Sequence, residues 1–347
     1  MAKGDRNVGW PGFFRAFTVL CAIILLLSRA GMEQLGQGNQ VLQVYEGLTL
    51  WAIPALFMLW GMTALEEVKT GTLPALSGLA LPAFGALVFW GAVYAVAAHL
   101  LGGGALSWGG IWGALVSAAR GNTYAHLWVL YPLIGLYLVH PVLRRFTSTA
   151  SRGEAGYFLG LCFVFANLLP VWSTFFPENF LGELLQRLQV HLVLGWVGCY
   201  VGGWYLRHYV ISRVSEFAIY ILGVLGLVLT LAGDRLLGGG AELWRAYTSP
   251  NVVLTAAAFC TLFRYVLGIS EERSRRSAVN ALGGYAFGIY LIHPLWLLIA
   301  QKLGISLWGM SPVVGIPFFA LILFALSAPF AWLLGLIPGV GGALTSR

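Results

Sequence analysis

The sequence predicts an all-α, polytopic membrane protein: a helical bundle of about ten transmembrane helices with both termini in the cytoplasm. Apolar residues make up 59% and charged residues 10% of the 347 residues, whereas soluble domains carry about 25% charged residues. The mean hydropathy is +0.81. The 14 tryptophans and 45 glycines are typical of membrane proteins, in which aromatic rings lie at the interfaces and small residues let helices approach closely. These values exclude a soluble globular fold.

Ten apolar segments are long enough to cross a bilayer, whose hydrocarbon core of about 30 Å needs roughly 20 residues of helix. They lie near 11–30, 45–65, 75–101, 124–145, 156–176, 190–206, 214–233, 250–269, 283–302 and 312–337. The alternating pattern of membrane strands is absent from them. The longest polar links, 102–123 and 234–249, are too short and Gly-rich to build a separate core, so we expect one membrane domain over residues 1–347.

Basic residues set the orientation, because Lys and Arg are enriched in cytoplasmic loops. With the N-terminus in the cytoplasm, 14 of the 20 basic residues fall on that side. The other six are Arg29, Arg120, Arg187, Arg235, Arg245 and Lys302. An even number of spans returns the C-terminus to the cytoplasm. The alternative that the first segment is a cleaved signal peptide is disfavoured, because Arg29 beside its end makes a poor cleavage site.

The net charge of +7 and the pI of 9.4 follow from this topology. No nucleic-acid partner is expected, since no basic run is long enough to follow a phosphate backbone. The four cysteines lie inside apolar segments and lack the CxxC spacing of metal or redox sites. They are Cys21, Cys162, Cys199 and Cys260. We therefore expect buried thiols, with no disulfide frame and no metal.

Polar side chains inside the spans are the first functional candidates, because in lipid they must face the bundle interior or a wet cavity. No acidic residue lies in the middle of a predicted span, which argues against a pump or antiporter built on a buried carboxylate relay. Four histidines lie within or at the edge of spans: His126, His140, His191 and His293.

One five-residue pattern occurs twice, as Tyr-Leu-Val-His-Pro at 137–141 and Tyr-Leu-Ile-His-Pro at 290–294. A proline inside a helix frees the carbonyl four residues earlier, so each copy places an unpaired acceptor beside an imidazole. In the fourth segment, helical spacing puts His126, Tyr137 and His140 within roughly 60° of one another, as one polar stripe. The alternative is that these histidines satisfy backbone carbonyls and fix helix packing.

Arg15 lies early in the first segment, after Trp-Pro-Gly-Phe-Phe at 10–14. At this position it is a candidate to bind an anionic group such as a phosphate at the cytoplasmic mouth of the bundle. The alternative is an interfacial arginine whose side chain reaches back to the membrane surface.

Two stretches carry a resemblance to a known family. The fourth segment reads HLWVLYPLIGLYL over 126–138 followed by Pro141, and the ninth reads YAFGIYLIHP over 285–294. Both are similar to helix signatures of the membrane acyltransferase 3 family, and weaker similarity occurs at 53–61, 194–205 and 247–254 in the family order. The closest resemblance is to the branch that acetylates or succinylates surface sugars.

The resemblance implies transfer of an acyl group, commonly acetyl from cytoplasmic acetyl-CoA, to a hydroxyl of a lipid-linked or cell-surface glycan. Such chemistry needs a base for the hydroxyl proton, donors for the oxyanion and positive charge for the CoA phosphates. The chain departs from the family pattern at two places. The expected first-segment histidine falls on Leu26, and the Arg-rich stretch expected after the second segment is replaced by 66–74, in which Lys69 alone is basic.

Two hypotheses follow. In the first, the chain is a membrane O-acyltransferase of the bacterial inner membrane that uses acetyl-CoA or another acyl-CoA and is accompanied by polysaccharide biosynthesis proteins. The assigned residues are His293 and His140 for catalysis; Tyr290, Tyr137, His126 and Trp128 for substrate binding; and Arg15 and Lys69 for the donor. In the second, the chain is an inactive acyltransferase-like component of polysaccharide export or assembly. A transporter unrelated to this family is a third alternative.

Overall fold

A computed structural model describes residues 10–66, 72–104, 107–119, 124–176, 195–268, 278–338 and 341–342. The regular elements of these residues are all helical. They are α1 (Trp10–Leu35), α2 (Gln40–Thr49), α3 (Ala52–Ala64), α4 (Thr72–Ala75), α5 (Leu81–Leu101), α6 (Trp108–Ala119), α7 (Leu130–Thr149), α8 (Arg152–Cys162), α9 (Leu169–Phe175), α10 (Val197–His208), α11 (Arg213–Leu237), α12 (Ala241–Arg245), α13 (Pro250–Tyr265), α14 (Ala278–Lys302) and α15 (Pro312–Gly335). A 3₁₀ turn, Ala125–Val129, leads into α7, and π-helical segments, Leu76–Ala80 and Phe163–Leu168, precede α5 and α9.

Nine helical stretches within the described ranges are long and apolar enough to cross a membrane, and each overlaps a predicted segment. They are Trp10–Leu35, Gln40–Ala64, Thr72–Leu101, Ala125–Thr149, Arg152–Phe175, Arg213–Leu237, Ala241–Tyr265, Ala281–Lys302 and Pro312–Gly335. The remaining predicted segment, 190–206, is represented by α10, and residues 177–194 before it lie outside the described ranges. The prediction of an all-α, multi-pass membrane bundle is confirmed.

The lipid-facing surface is found on the outer helices. Both α11 and α15 expose large apolar side chains, among them Phe217, Ile221, Phe318 and Leu321. In water such a surface would be unstable, whereas in a bilayer it contacts lipid tails at no cost. The four cysteines, in contrast, are buried, as predicted.

Helix α1 lies in the centre of the bundle, against α2, α3, α14 and α15, and buries side chains such as Phe14 and Ile23 completely. A Cβ on Gly283 of α14 would lie 2.0 Å from the carbonyl oxygen of Gly12, so the two backbones touch and only glycine fits at position 283. Near their other ends, Leu297 of α14 and Ala30 of α1 line one cavity. The two helices therefore run in the same direction.

We name the two ends of the bundle after residues of α1. The Arg15 end contains the starts of α1 and α14, and the Arg29 end contains their last turns. A second close contact, between α3 and α10, depends on small residues as well, because a Cβ on Gly203 would lie 2.0 Å from the carbonyl oxygen of Met58. Small residues thus permit the tight helix contacts that membrane bundles need.

Candidate active site

The second copy of the repeated pattern fixes the tautomer of a buried histidine, His293. Pro294 lies inside α14 and has no N–H, so the helix leaves the carbonyl of Tyr290 without its usual donor. Nδ1 of His293 lies 2.7 Å from that oxygen. Because a carbonyl only accepts hydrogen bonds, Nδ1 carries the proton and Nε2 carries a lone pair. His293 is completely buried, and its Nε2 has no hydrogen-bond partner among the residues that the structure describes.

A second histidine faces the first from the 3₁₀ turn before α7. Nε2 of His126 lies 3.3 Å from the carbonyl oxygen of Leu291, and the rings of His126 and His293 are 5.9 Å apart. By the same argument Nε2 of His126 is the protonated nitrogen. Its Nδ1 is buried and has no partner within the described ranges. Neighbouring imidazole rings of His126 and His293 therefore each keep one nitrogen whose lone pair accepts no hydrogen bond there.

Two tyrosines hold this pair in place. The hydroxyl of Tyr290 donates to the carbonyl of His126 over 2.9 Å, and the hydroxyl of Tyr94 on α5 donates to the carbonyl of Leu291 over 2.6 Å. The Tyr94 ring also contacts the His126 ring edge to face, with centroids 4.8 Å apart. We call His126, His293, Tyr290 and Tyr94 the histidine site.

The depth of the histidine site follows from the helix rise. His293 lies ten residues beyond Gly283, where α14 touches the start of α1, and at 1.5 Å per residue this is about 15 Å along the helix. A hydrocarbon core is about 30 Å thick. The histidine site therefore lies near the middle of the bundle.

A cavity of about 300 Å³ opens at the Arg15 end, lined by Arg15, Tyr137, Trp60 and Phe287 among others. Phe287 stacks on Tyr290 with ring centroids 5.9 Å apart, so a wall residue of this cavity contacts the histidine site. Within the described ranges no carboxylate forms an ion pair with Arg15. The guanidinium of Arg15 is thus available to an anionic ligand.

A second cavity, of about 440 Å³, lies at the Arg29 end. Its lining combines polar side chains with aromatic rings, namely Glu33, Gln34, Gln301, Ser306, Tyr124 and Trp308. Leu297 also lines it and follows His293 by four residues, about 6 Å along the helix. Tyr124 stacks on Tyr94 at 4.8 Å. The histidine site therefore lies between two cavities at opposite ends of the bundle.

The structure separates His140 from His293. Nδ1 of His140 lies 3.0 Å from the hydroxyl of Tyr200 on α10, and His140 follows His126 by 14 residues, about 21 Å of helix. The predicted stripe does not hold at its first member, because His126 lies in a 3₁₀ turn, where the α-helical spacing does not apply. His126 faces α14 instead. Tyr137 lines the cavity of Arg15.

Trp128 belongs to another cluster, at the Arg29 end. Its ring stacks on Tyr247 at 5.1 Å, and the guanidinium of Arg29 lies 4.8 Å from the Tyr247 ring. Glu46 accepts from Arg29 over 2.9 Å and from Arg245 over 3.3 Å. Sequence reasoning missed this partly buried ion pair network, although the position of Glu46 at the edge of an apolar segment was a signal.

Lys69, the other predicted donor-binding residue, lies outside the described residues. Sequence reasoning also missed Tyr94, which nothing in the apolar pattern of α5 distinguishes. As for metals, the described part of the chain contains no group of three or more His, Cys, Asp or Glu side chains that could hold an ion.

Comparison with known proteins adds the reaction class. Residues 86–336 match the family model of the acyltransferase domain of the acyltransferase 3 type. The chain belongs to the acyltransferase 3 family. The match includes α7 and α14, which carry both copies of the repeated pattern, whereas Arg15 and Lys69 precede it. No curated protein and no solved structure gives a significant match. Membership of this family identifies acyl transfer as the general activity of the domain.

Proposed function

We propose that this acyltransferase 3 protein moves an acetyl group from acetyl-CoA to a hydroxyl of a cell-surface or lipid-linked glycan, in the inner membrane of a bacterium. One observation carries the proposal: the two unpaired imidazole nitrogens of His126 and His293 lie between a cavity with an unpaired arginine and a cavity lined by polar and aromatic groups.

The donor binds at the Arg15 end, which faces the cytoplasm in the predicted topology. Arginine is well suited to hold phosphate, because its planar fork of donors fits two phosphate oxygens. The cavity of about 300 Å³ accommodates the thioester arm of CoA, and the nucleotide part stays at its mouth. Lys69 is the further cation proposed for this site.

The histidine site performs the chemistry. For an alcohol to attack a thioester carbon, a base must take the hydroxyl proton as the new C–O bond forms. A nitrogen with a free lone pair is such a base, and both histidines supply one. Tyr290 fixes the carbonyl of His126, which holds the turn that carries the second imidazole.

The acceptor binds at the Arg29 end. Sugars present hydroxyls together with apolar C–H faces, and the second cavity offers matching carboxylate, amide and aromatic groups. In this proposal the polysaccharide biosynthesis proteins that supply the glycan are the partners of this face. Trp128 lies at the same end, in the cluster of Arg29, and extends the surface available to a larger glycan.

A second candidate function is an inactive component of polysaccharide export built on the same fold. It is favoured by Leu26, which stands in α1 where the resembled family carries a histidine. This alternative predicts that the protein has no affinity for acetyl-CoA.

Calorimetry of acetyl-CoA binding to detergent-purified protein separates the two. Loss of an arginine–phosphate hydrogen bond costs about 1.5–3 kcal/mol, so Arg15→Ala should weaken binding by about 10- to 100-fold. Arg235→Ala, at the opposite end of the bundle, is the matched control and should leave the affinity unchanged. Absence of binding to the wild-type protein would contradict the proposal and support the inactive component.

A further inference from the structure

We propose that the transfer takes place in two steps, with the acyl group carried on Nε2 of His293 between them, and that His126 is the base of the second step. This inference rests on the proposed function and adds a covalent intermediate to it.

The orientation of His293 suits a nucleophile. Its Nδ1 is fixed by the carbonyl of Tyr290 at 2.7 Å, so the lone pair of Nε2 has a set direction. Nε2 is buried and forms no hydrogen bond within the described residues, so its lone pair is not committed to another group. In covalent catalysis, a nucleophilic side chain is commonly oriented by a hydrogen bond to a second group. Here the Tyr290 carbonyl is that group.

The two cavities explain why a carrier is needed. Acetyl-CoA, held by its phosphates, stays at the Arg15 end, and the glycan stays at the Arg29 end. Phe287 of the first cavity stacks on Tyr290 of the histidine site, and Tyr124 of the second cavity stacks on Tyr94 of the same site. With a carrier at mid-depth, only the small acyl group passes these rings, and no single cavity has to hold both substrates.

In the first step, Nε2 of His293 attacks the thioester carbon. A C–N bond forms, the C–S bond breaks, and CoA leaves as a thiolate. The product is an acyl-imidazolium whose positive charge is stabilised by the hydrogen bond from Nδ1–H to the Tyr290 carbonyl, because hydrogen bonds from charged donors are the stronger ones.

In the second step, the acceptor hydroxyl attacks the same carbon. A C–O bond forms, the C–N bond breaks, and His293 returns to its neutral form with Nδ1 protonated. Nδ1 of His126 takes the hydroxyl proton, which passes on to the CoA thiolate through solvent. The ring centroids of His126 and His293 are 5.9 Å apart, so the proposed base lies next to the imidazole that carries the acyl group.

Isotope exchange without an acceptor tests this mechanism. A covalent intermediate lets the enzyme exchange radiolabelled CoA into acetyl-CoA when no glycan is present, whereas direct transfer does not. The detergent-purified wild-type protein should catalyse this exchange. His293→Ala should bind acetyl-CoA with wild-type affinity by calorimetry, which shows that it is folded, and should lose the exchange at least about 10³-fold.

The second histidine should behave differently. His126→Ala should keep the exchange within a few-fold of wild type but slow the hydrolysis of bound acetyl to acetate, in which water replaces the glycan hydroxyl. Equal loss of exchange in both variants would overturn the role given to His126. Wild-type protein that binds acetyl-CoA and shows no exchange would overturn the covalent step and leave the proposed function standing. Failure of acetyl-CoA to bind would overturn both.

Discussion

The two copies of the Tyr-Leu-x-His-Pro pattern differ in what their histidines bind. In α14, His293 donates to the carbonyl that its own proline has freed, and its other nitrogen is left without a partner. In α7, Nδ1 of His140 lies instead 3.0 Å from the hydroxyl of Tyr200 on a neighbouring helix. Within the described residues, the same five-residue pattern therefore leaves an imidazole nitrogen without a hydrogen bond in one helix and makes a contact between helices in the other.

The neighbouring helices explain the difference. The α14 copy is surrounded by the 3₁₀ turn of His126 and by α5, whose Tyr94 hydroxyl takes up the next carbonyl, that of Leu291. The α7 copy lies against α10, which presents a tyrosine hydroxyl to the imidazole. A proline in a helix thus frees a carbonyl, and the polar groups of the neighbouring helices determine which hydrogen bonds form around it.

The largest expected effect on the rate of acyl transfer comes from removing the imidazoles of the two copies, His293 and His140, one at a time. His293→Ala should reduce acyl transfer at least about 10³-fold, because the nucleophile is lost. His140→Ala should reduce the rate per folded molecule less than about tenfold, since that histidine contributes to packing. The measurement is CoA release from acetyl-CoA in membranes of the source organism. Equal loss in both variants would mean that the two copies act in one reaction.

Replacing the prolines of the two copies should have a smaller effect, and one that is confined to kcat. Pro294→Ala restores a backbone N–H that competes with His293 for the Tyr290 carbonyl, and the imidazole then loses its fixed tautomer. We expect kcat to fall by roughly tenfold with little change in KM for acetyl-CoA. Pro141→Ala is the matched control, because the imidazole of His140 is held by Tyr200. A rise in KM in place of the fall in kcat would place Pro294 in donor binding.

The sequence was sufficient for the architecture, because the length of an apolar run is a local property. All nine membrane-spanning stretches of the described chain overlap predicted segments. The repeated pattern and the carbonyl at Tyr290 could also be predicted, since the loss of a backbone donor at proline depends on nothing beyond the helix itself.

His126, His293 and Tyr290 can be named as candidates from the sequence, but Tyr94 and the contacts within the site could not be predicted, because they depend on which helices become neighbours. No local signal indicates that Tyr94 reaches the carbonyl of Leu291, or that Tyr200 reaches His140. The stripe drawn from His126 assumed a regular α-helix, and the 3₁₀ turn at Ala125–Val129 changes that geometry. The buried Glu46, bound by two arginines, likewise required the tertiary contacts.

The smallest expected effect comes from removing the hydroxyl groups of Tyr290 and Tyr200, which form hydrogen bonds at the two copies. Tyr290→Phe and Tyr200→Phe each remove one buried hydrogen bond, from Tyr290 to the carbonyl of His126 or between Tyr200 and His140. Each should lower the free energy of unfolding by about 1 kcal/mol, which thermal denaturation in detergent measures as a lower Tm. Only Tyr290→Phe should also slow the hydrolysis of bound acetyl to acetate, by a few-fold, because the turn that carries His126 is then less fixed. Slower hydrolysis in Tyr200→Phe would show that the α7 copy influences the chemistry through α10, and that the two copies are coupled.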